Sequence, residues 1–285
     1  TAAAPAAETP SATGKPAPGS TTTAPAWLEF DASASLETFR LDTMLRFARC
    51  PVLSQRIAAM NQLVAQTTET PEAQASLDAW LTRANVLETL LSENLHLEVV
   101  RRALMLAVFQ AQRGTLSRAQ LVAMWVASRD EGMMAAVHAT IVQVAPLLSA
   151  ADFTWFLQEH LARLPFVEYD EAGERLRFAF DVTLAWWDRS NAKALETTDV
   201  QTLAVLWNFA QDGWGASLAG TRTALELLVS LLTRCPSKLR MGFLDACVSK
   251  LQRGESVPQA LLLMEGVLLT YPNPAGAEAE SSGSG

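Results

Sequence analysis

The stretch TLSRAQLVAMW at residues 115–125 decides the fold, because TTDVQTLAVLW at residues 197–207 repeats its pattern 82 positions later. Each stretch opens with a threonine and a short polar segment, which favours a helix start, and then becomes an apolar run that ends on tryptophan. The threonine, one leucine and the tryptophan are identical in the two copies. Self-similarity over such a distance is typical of helical repeat arrays. We therefore predict a stack of similar helical units.

The composition favours helices and argues against several classes of protein. Apolar residues fill 49% of the 285 positions, and only two are tyrosine. The net charge is −8 and no basic cluster exceeds Arg101-Arg102, so we expect no nucleic-acid partner. The uncharged window 132–151 is about long enough to span a membrane. Its large apolar residues instead follow one stripe of an amphipathic helix: Met134, Val137, Ile141, Val144 and Leu148. We expect no membrane segment.

The chain divides into three segments by composition. Residues 1–32 form an Ala/Pro/Thr-rich stretch and residues 272–285 a Gly/Ser-rich one, and both have too little apolar bulk to offset the loss of chain entropy on folding. We predict that both are disordered and that residues 33–271 form a helical repeat domain.

Turn signals within that domain come at helix-length intervals, and several prolines lie at the proposed boundaries. The predicted helices are 35–49, 54–66, 71–80, 97–112, 117–129, 131–147, 150–163, 173–188, 199–211, 217–233, 237–253 and 257–270. Pro146 falls in the last turn of its helix, where we expect distortion. Short loops imply antiparallel neighbours, and a dozen helices are too many for a simple bundle. The predicted fold is therefore all-α, an armadillo- or HEAT-like α-solenoid of stacked antiparallel helix pairs, with a closed bundle as the alternative.

The residues that usually carry chemistry show no catalytic or metal-binding spacing. The histidines, His96, His138 and His160, lie far apart in sequence, and no cysteine is near them. The acidic pairs Asp130-Glu131 and Asp170-Glu171 suit helix starts, and Gly213-Trp214-Gly215 suits a turn. We therefore predict no catalytic residue, no metal ligand and no cofactor. The isolated cysteines, Cys50, Cys235 and Cys247, indicate reduced thiols and a cytoplasmic or nuclear location.

Tryptophan is abundant, with eight residues in the chain. The six in predicted helices are expected to wedge between neighbouring helices: Trp80, Trp125, Trp155, Trp186, Trp187 and Trp207. If two of them were exposed together, they would instead mark a groove for a partner.

The order of several motifs resembles a known family. Those motifs are LDTMLR at 41–46, QRIAAMNQL at 55–63, Trp80-Leu81, Asn85-Val86-Leu87, LHLEVVRR at 95–102, Gly114-Thr115-Leu116 with Leu121 and Trp125, then His138 and a second box at 203–207. Together they are similar to the non-catalytic N-terminal region of the large ubiquitin-specific proteases related to fat facets. The resemblance covers most of residues 36–253. It implies an armadillo-like arm of a deubiquitinase whose cysteine protease domain lies elsewhere.

The resemblance gives no catalytic residue to this segment. The family's Gly-Asn-Thr-Cys box does not occur around Cys50, Cys235 or Cys247. The leading hypothesis is thus a scaffold that positions ubiquitinated substrates or adaptor proteins. A helical-repeat adaptor for transport or the cytoskeleton, unrelated to ubiquitin, is the second hypothesis. An all-helical enzyme is the third, and it requires a deep pocket with convergent titratable groups.

Overall fold

The structure, a computed structural model, describes residues 32–92, 94–164, 174–189, 203, 206–211, 218–235 and 237–270. The chain comprises two compact units, residues 1–39 and 40–285. In the first, the described residues begin a helix on which Leu36 and Phe39 are exposed. All regular structure among the described residues is helical, so the predicted all-α class is confirmed. The predicted disorder of residues 1–32 and 272–285 falls almost entirely outside the described residues and stays a prediction.

Twelve α-helices are described. They are α1 Ala32–Ala48, α2 Leu53–Gln66, α3 Pro71–Arg83, α4 Val86–Leu90, α5 Leu97–Arg113, α6 Arg118–Ala127, α7 Glu131–Val144, α8 Ala150–Phe156, α9 Glu174–Arg189, α10 Leu218–Arg234, α11 Ser237–Arg253 and α12 Val257–Thr270. A 3-10 turn, Ala145–Leu147, follows α7, and a π-helical turn, Leu157–Leu161, continues α8. Residues 203 and 206–210 are also helical, Gln211 forms a bend after them, and residues 199–202, 204 and 205 of the predicted helix 199–211 lie outside the described residues.

Polar side chains fix the helix starts where the sequence predicts them. Ser117 and Gln120 form a reciprocal capping box at α6, which begins the first repeated stretch. Thr70 caps α3 ahead of its first-turn proline, and His96 caps α5 by accepting from the backbone N–H of Glu98. At the other end of α5, Gly114 adopts φ 73°, a left-handed backbone conformation that residues other than glycine rarely adopt.

The helices of the second unit stack in a continuous row, which we call the spine: α2, α5, α7, α9, α10 and α12. Each spine helix packs against the next one in this order. The intervening helices pack on the spine or on each other, α4 against α5 and α6, α6 against α7, and α11 against α12. Among the described residues, the main packing contacts join helices that are near neighbours in the chain, which is the packing of an α-solenoid. The predicted solenoid is confirmed.

The core runs through this stack. Both repeat tryptophans, Trp125 and Trp207, are buried in it, as are Trp80 and Trp186. Trp155 is only half-buried, and the side chain of Trp187 lies outside the described residues. The prediction that tryptophans wedge between helices therefore holds for four of the six.

A buried polar network ties α3, α5 and α6 together. The carboxylate of Asp78 accepts hydrogen bonds from the Thr115 hydroxyl at 2.6 Å and from Arg113 Nε at 3.2 Å. Gln120 Nε2 donates to the side-chain oxygen of Gln110 at 3.1 Å. Because buried polar groups are costly when unpaired, the network favours one register of these three helices over others.

Several details differ from the sequence prediction. The short helix α4 was not predicted, because five residues carry too little periodicity to detect. Pro146 ends α7 at Val144, and the tail of the predicted helix 131–147 becomes the 3-10 turn. Met133 rather than Met134 is buried on the core stripe of α7. The acidic pair Asp170-Glu171 and the segment Gly213-Trp214-Gly215 lie outside the described residues. None of the described helices is long and apolar enough to span a bilayer.

Candidate binding groove

A groove crosses the C-terminal ends of three consecutive spine helices, α5, α7 and α9. It has a volume of about 440 Å³ and is lined by Val108, Gln112, Gln143, Pro146, Leu147, Ala185 and Asp188. A second hollow of about 280 Å³ shares Leu147 and is lined also by Ala111, Gly114, Leu116, Leu148, Ser149 and Asp152. We treat the two hollows together as the groove, because Leu147 forms a wall of both.

The local sequence explains why the groove forms at this place. Pro146 cannot continue the hydrogen bonding of α7, so the chain tightens into the 3-10 turn and carries Leu147 and Leu148 out at the helix end. Gly114 turns the chain away at the end of α5. These leucines remain partly buried against a small separate apolar cluster built on Ala111, Leu121 and Val144. The floor of the groove is therefore apolar and rigidly supported.

Charged groups at one end of the groove are paired with each other. Arg118 Nε donates to Asp152 at 2.7 Å, and its guanidinium lies 4.9 Å from the centre of the Trp155 ring. The Ser149 hydroxyl donates to the same carboxylate at 2.6 Å. The Ser149 hydrogen bond, with help from Arg118, lowers the pKa of Asp152 below its ordinary value. Asp152 is therefore a carboxylate in the wall of the groove, and its negative charge is balanced by the positive charge of Arg118.

The other end of the groove has a polar rim. Gln112, Gln143 and Asp188 are exposed there, above the half-buried Val108, Pro146 and Ala185. An apolar floor with hydrogen-bonding side chains around it is the usual anatomy of a protein-binding surface. Neither a histidine nor a cysteine is among the described residues that line it. The groove is thus suited to binding another protein segment.

Two of the three histidines converge on Trp125, which the sequence did not predict. The His138 ring stacks on Phe178 with a centroid distance of 3.9 Å and lies 6.3 Å from Trp125. The His160 ring lies 6.2 Å from Trp125 and 5.2 Å from Trp155. Both rings pack against aromatic side chains of the core, and within the described residues no group of three or more His, Cys, Asp or Glu could hold a metal ion.

The electrostatics of these histidines favour the neutral form. Burial, reinforced by the positive charge of Arg175, lowers the pKa of His138 to about 4. Burial also lowers the pKa of His160, whose Nε2 is buried without a hydrogen-bond partner among the described residues. Imidazoles held neutral among aromatic rings act as packing groups. His96 lies apart from them, at the start of α5.

The three cysteines are free thiols at separate positions. Cys235 and Cys247 are buried, and burial raises the pKa of Cys247 to about 11, so its thiol is protonated at neutral pH. Cys50 is half-buried after α1 and donates to the Val52 carbonyl at 3.4 Å. The thiolate that a cysteine protease requires is therefore disfavoured at Cys247.

The sequence does not predict the groove. It predicts distortion at Pro146, and the two leucines that follow this proline are the available signal. The remaining lining residues come from helices far apart in the chain, so their proximity follows only from the packing.

Comparison with known proteins identifies a family and two relatives that this chain resembles. Residues 34–282 match the family described as UBP24/USP9X/USP9Y ARM repeat. Ubiquitin carboxyl-terminal hydrolase 34 of Homo sapiens is 23% identical over 193 residues, which are 62% of this chain and 5% of that protein. The Mus musculus protein of the same name matches with the same identity and coverage. The chain therefore spans only 5% of the length of these relatives. No solved structure matches.

Proposed function

Because this chain belongs to the UBP24/USP9X/USP9Y ARM-repeat family, we propose that it is a non-catalytic, protein-binding segment of a large ubiquitin carboxyl-terminal hydrolase. Its role is to hold ubiquitinated substrates or adaptor proteins for a thiol protease domain elsewhere in the polypeptide. The free thiols of Cys235 and Cys247 support a reducing location, the cytoplasm or the nucleus.

The groove across α5, α7 and α9 is the observation that carries this proposal. It combines an apolar floor at Leu147 with exposed amides at Gln112 and Gln143. Binding energy at protein interfaces comes mainly from a few well-packed apolar anchors surrounded by polar contacts. A solenoid also supports such a site rigidly, because each spine helix is fixed by its two neighbours.

The test uses a groove variant and a matched variant elsewhere. Leu147→Arg puts a charge on the apolar floor, and Val126→Arg makes the same change at an exposed apolar position of α6. Gln143→Arg, at the exposed rim, tests the groove without disturbing its supporting cluster. Cross-linking mass spectrometry identifies the proteins held by the isolated chain. We expect both groove variants to lose them and Val126→Arg to keep them.

Activity of the full-length parent protein completes the test. We expect Leu147→Arg to slow removal of ubiquitin from the captured proteins while hydrolysis of a ubiquitin–fluorophore substrate stays unchanged. Hydrolysis of the ubiquitin–fluorophore substrate by the isolated chain would refute a non-catalytic role. If the groove variants lose partners that the parent protein does not deubiquitinate, the chain is instead an adaptor unrelated to ubiquitin.

A further inference from the structure

A second surface, away from the groove, exposes several large apolar side chains to water, as interaction surfaces often do. Four leucines of α12 are between 53% and 76% exposed: Leu261, Leu262, Leu268 and Leu269. They lie opposite the buried stripe of the same helix, formed by Ala260, Leu263 and Val267. Since α12 packs on α10 and α11, it ends the described spine with an apolar side that no described helix covers.

The neighbouring helix α11 repeats this arrangement. Met241 is 55% exposed and Val248 is 39% exposed, opposite the buried Phe243 and Cys247. The two helices pack together across a short turn that contains Gly254 at φ 72°. Their exposed stripes therefore face outward on the same side of an antiparallel hairpin. We call this surface the end face. It is defined by the six exposed apolar residues Met241, Val248, Leu261, Leu262, Leu268 and Leu269.

An acidic residue lies at the centre of each stripe. Asp245 is exposed between Met241 and Val248, and Glu265 is exposed between the two leucine pairs of α12. In an antiparallel hairpin, residues equally far along the chain from the turn lie at the same level. Asp245 is level with Glu265 on this count, while Met241 is level with Leu269. The end face thus has an acidic layer between two apolar layers.

We propose that the end face binds an amphipathic helix whose apolar stripe carries a lysine or arginine at its centre. Such a helix extends the spine, because it covers the outer side of α12 as α10 covers the inner side. Its basic residue meets Asp245 and Glu265, which would otherwise lose water without gaining a partner. A second copy of this chain fits poorly, since a two-fold pair would bring the acidic layers together.

Two labelled peptides of about five helical turns test the proposal. Both carry leucine at the stripe positions i, i+3, i+4 and i+7, and they differ only at the central stripe position, lysine in one and glutamate in the other. Fluorescence anisotropy gives each Kd at low salt. We expect the lysine peptide to bind about tenfold more tightly, and Glu265→Lys, which leaves Asp245 in place, to remove most of the preference. Leu268→Glu should weaken binding of both peptides.

The matched control is Glu69→Lys, a charge reversal at an exposed position in the turn between α2 and α3. It should leave both affinities unchanged. Equal binding of the two peptides, or a preference that Glu265→Lys does not alter, would overturn the proposed charge match. If neither peptide bound, the end face would not be a binding site for such a helix. Sedimentation that shows a dimer dissociated by Leu268→Glu would assign the end face to a second copy of the chain.

Discussion

His138 shows how burial decides the chemistry of a residue in this chain. Its ring stacks against Phe178 at 3.9 Å between centroids, with Trp125 nearby. The surrounding rings exclude water, and the nearby Arg175 adds a positive charge, so the imidazolium form is disfavoured. The sequence predicted no metal or catalytic role for this histidine, but it could not predict the aromatic neighbours, because Phe178 comes from a different spine helix.

The lowered pKa of His138 predicts a loss of stability in mild acid. In the unfolded chain the imidazole takes up a proton near its ordinary pKa of 6.5, whereas in the folded chain it resists protonation down to about pH 4. Between these values the unfolded state binds more protons, so stability falls as the pH is lowered. We expect the urea midpoint to decrease between about pH 7 and about pH 5, and His138→Phe to reduce this decrease.

Other groups with shifted pKa values also contribute to the pH dependence, so the test is the difference in stability loss between the wild type and His138→Phe. The lowered pKa of His160 acts in the same direction as His138, whereas burial raises the pKa of Asp181 and acts in the opposite direction. Both groups are common to the wild type and His138→Phe. Equal losses of stability in the two proteins would show that His138 is not the group responsible.

At the scale of the element, the start and stop residues made much of the fold predictable. The bounds 237–253 and 257–270 are those of α11 and α12, since a proline lies before one helix and in the first turn of the other, and Gly254 separates them. The five-residue α4 was not predictable, because five residues carry too little periodicity to detect. The π-helical turn after α8 was not predictable either, because such turns are rare.

Gly266 shows why some positions in a helix must be small. A Cβ built on Gly266 would lie 2.8 Å from Cγ2 of Val229 on α10. We expect Gly266→Ala to destabilise the chain by about 1–3 kcal/mol, because the Val229 side chain or the two spine helices must shift to make room. Adding Val229→Ala should relieve part of the crowding. The double variant should therefore lose less free energy of unfolding than the two single variants lose together. Urea denaturation measures all three free energies of unfolding.

Gly242 of α11 provides the control for backbone effects. A Cβ there would meet no atom within 4 Å, so alanine adds helix propensity without crowding. Gly242→Ala should therefore raise stability by up to about 1 kcal/mol. If Gly266→Ala behaved in the same way as Gly242→Ala, the close approach of α10 and α12 would not restrict residue 266.

At the scale of the whole molecule, the repeated stretches predicted a stack, and the spine confirms it. What the sequence could not supply is which helix ends meet, and the groove depends on that: α5, α7 and α9 contribute to it from positions far apart in the chain. The stack is also separable, because each described spine helix packs mainly against the spine helices immediately before and after it. In such an array, stability is close to a sum of local unit and interface energies.

The two repeat tryptophans should therefore stabilise different parts of the stack. Trp125 packs against rings of α7, α8 and α9, whereas Trp207 packs edge-on against Phe243 of α11 and lies 5.8 Å from Lys250 Nζ. We expect Trp125→Ala and Trp207→Ala each to cost about 3–5 kcal/mol, as large truncations in a core do. Amide hydrogen exchange should rise in α6–α9 for the first variant and in α10–α12 for the second. Uniform acceleration across the chain in either variant would mean that the stack unfolds as one cooperative unit, and unchanged stability would mean that the tryptophan is not a core residue.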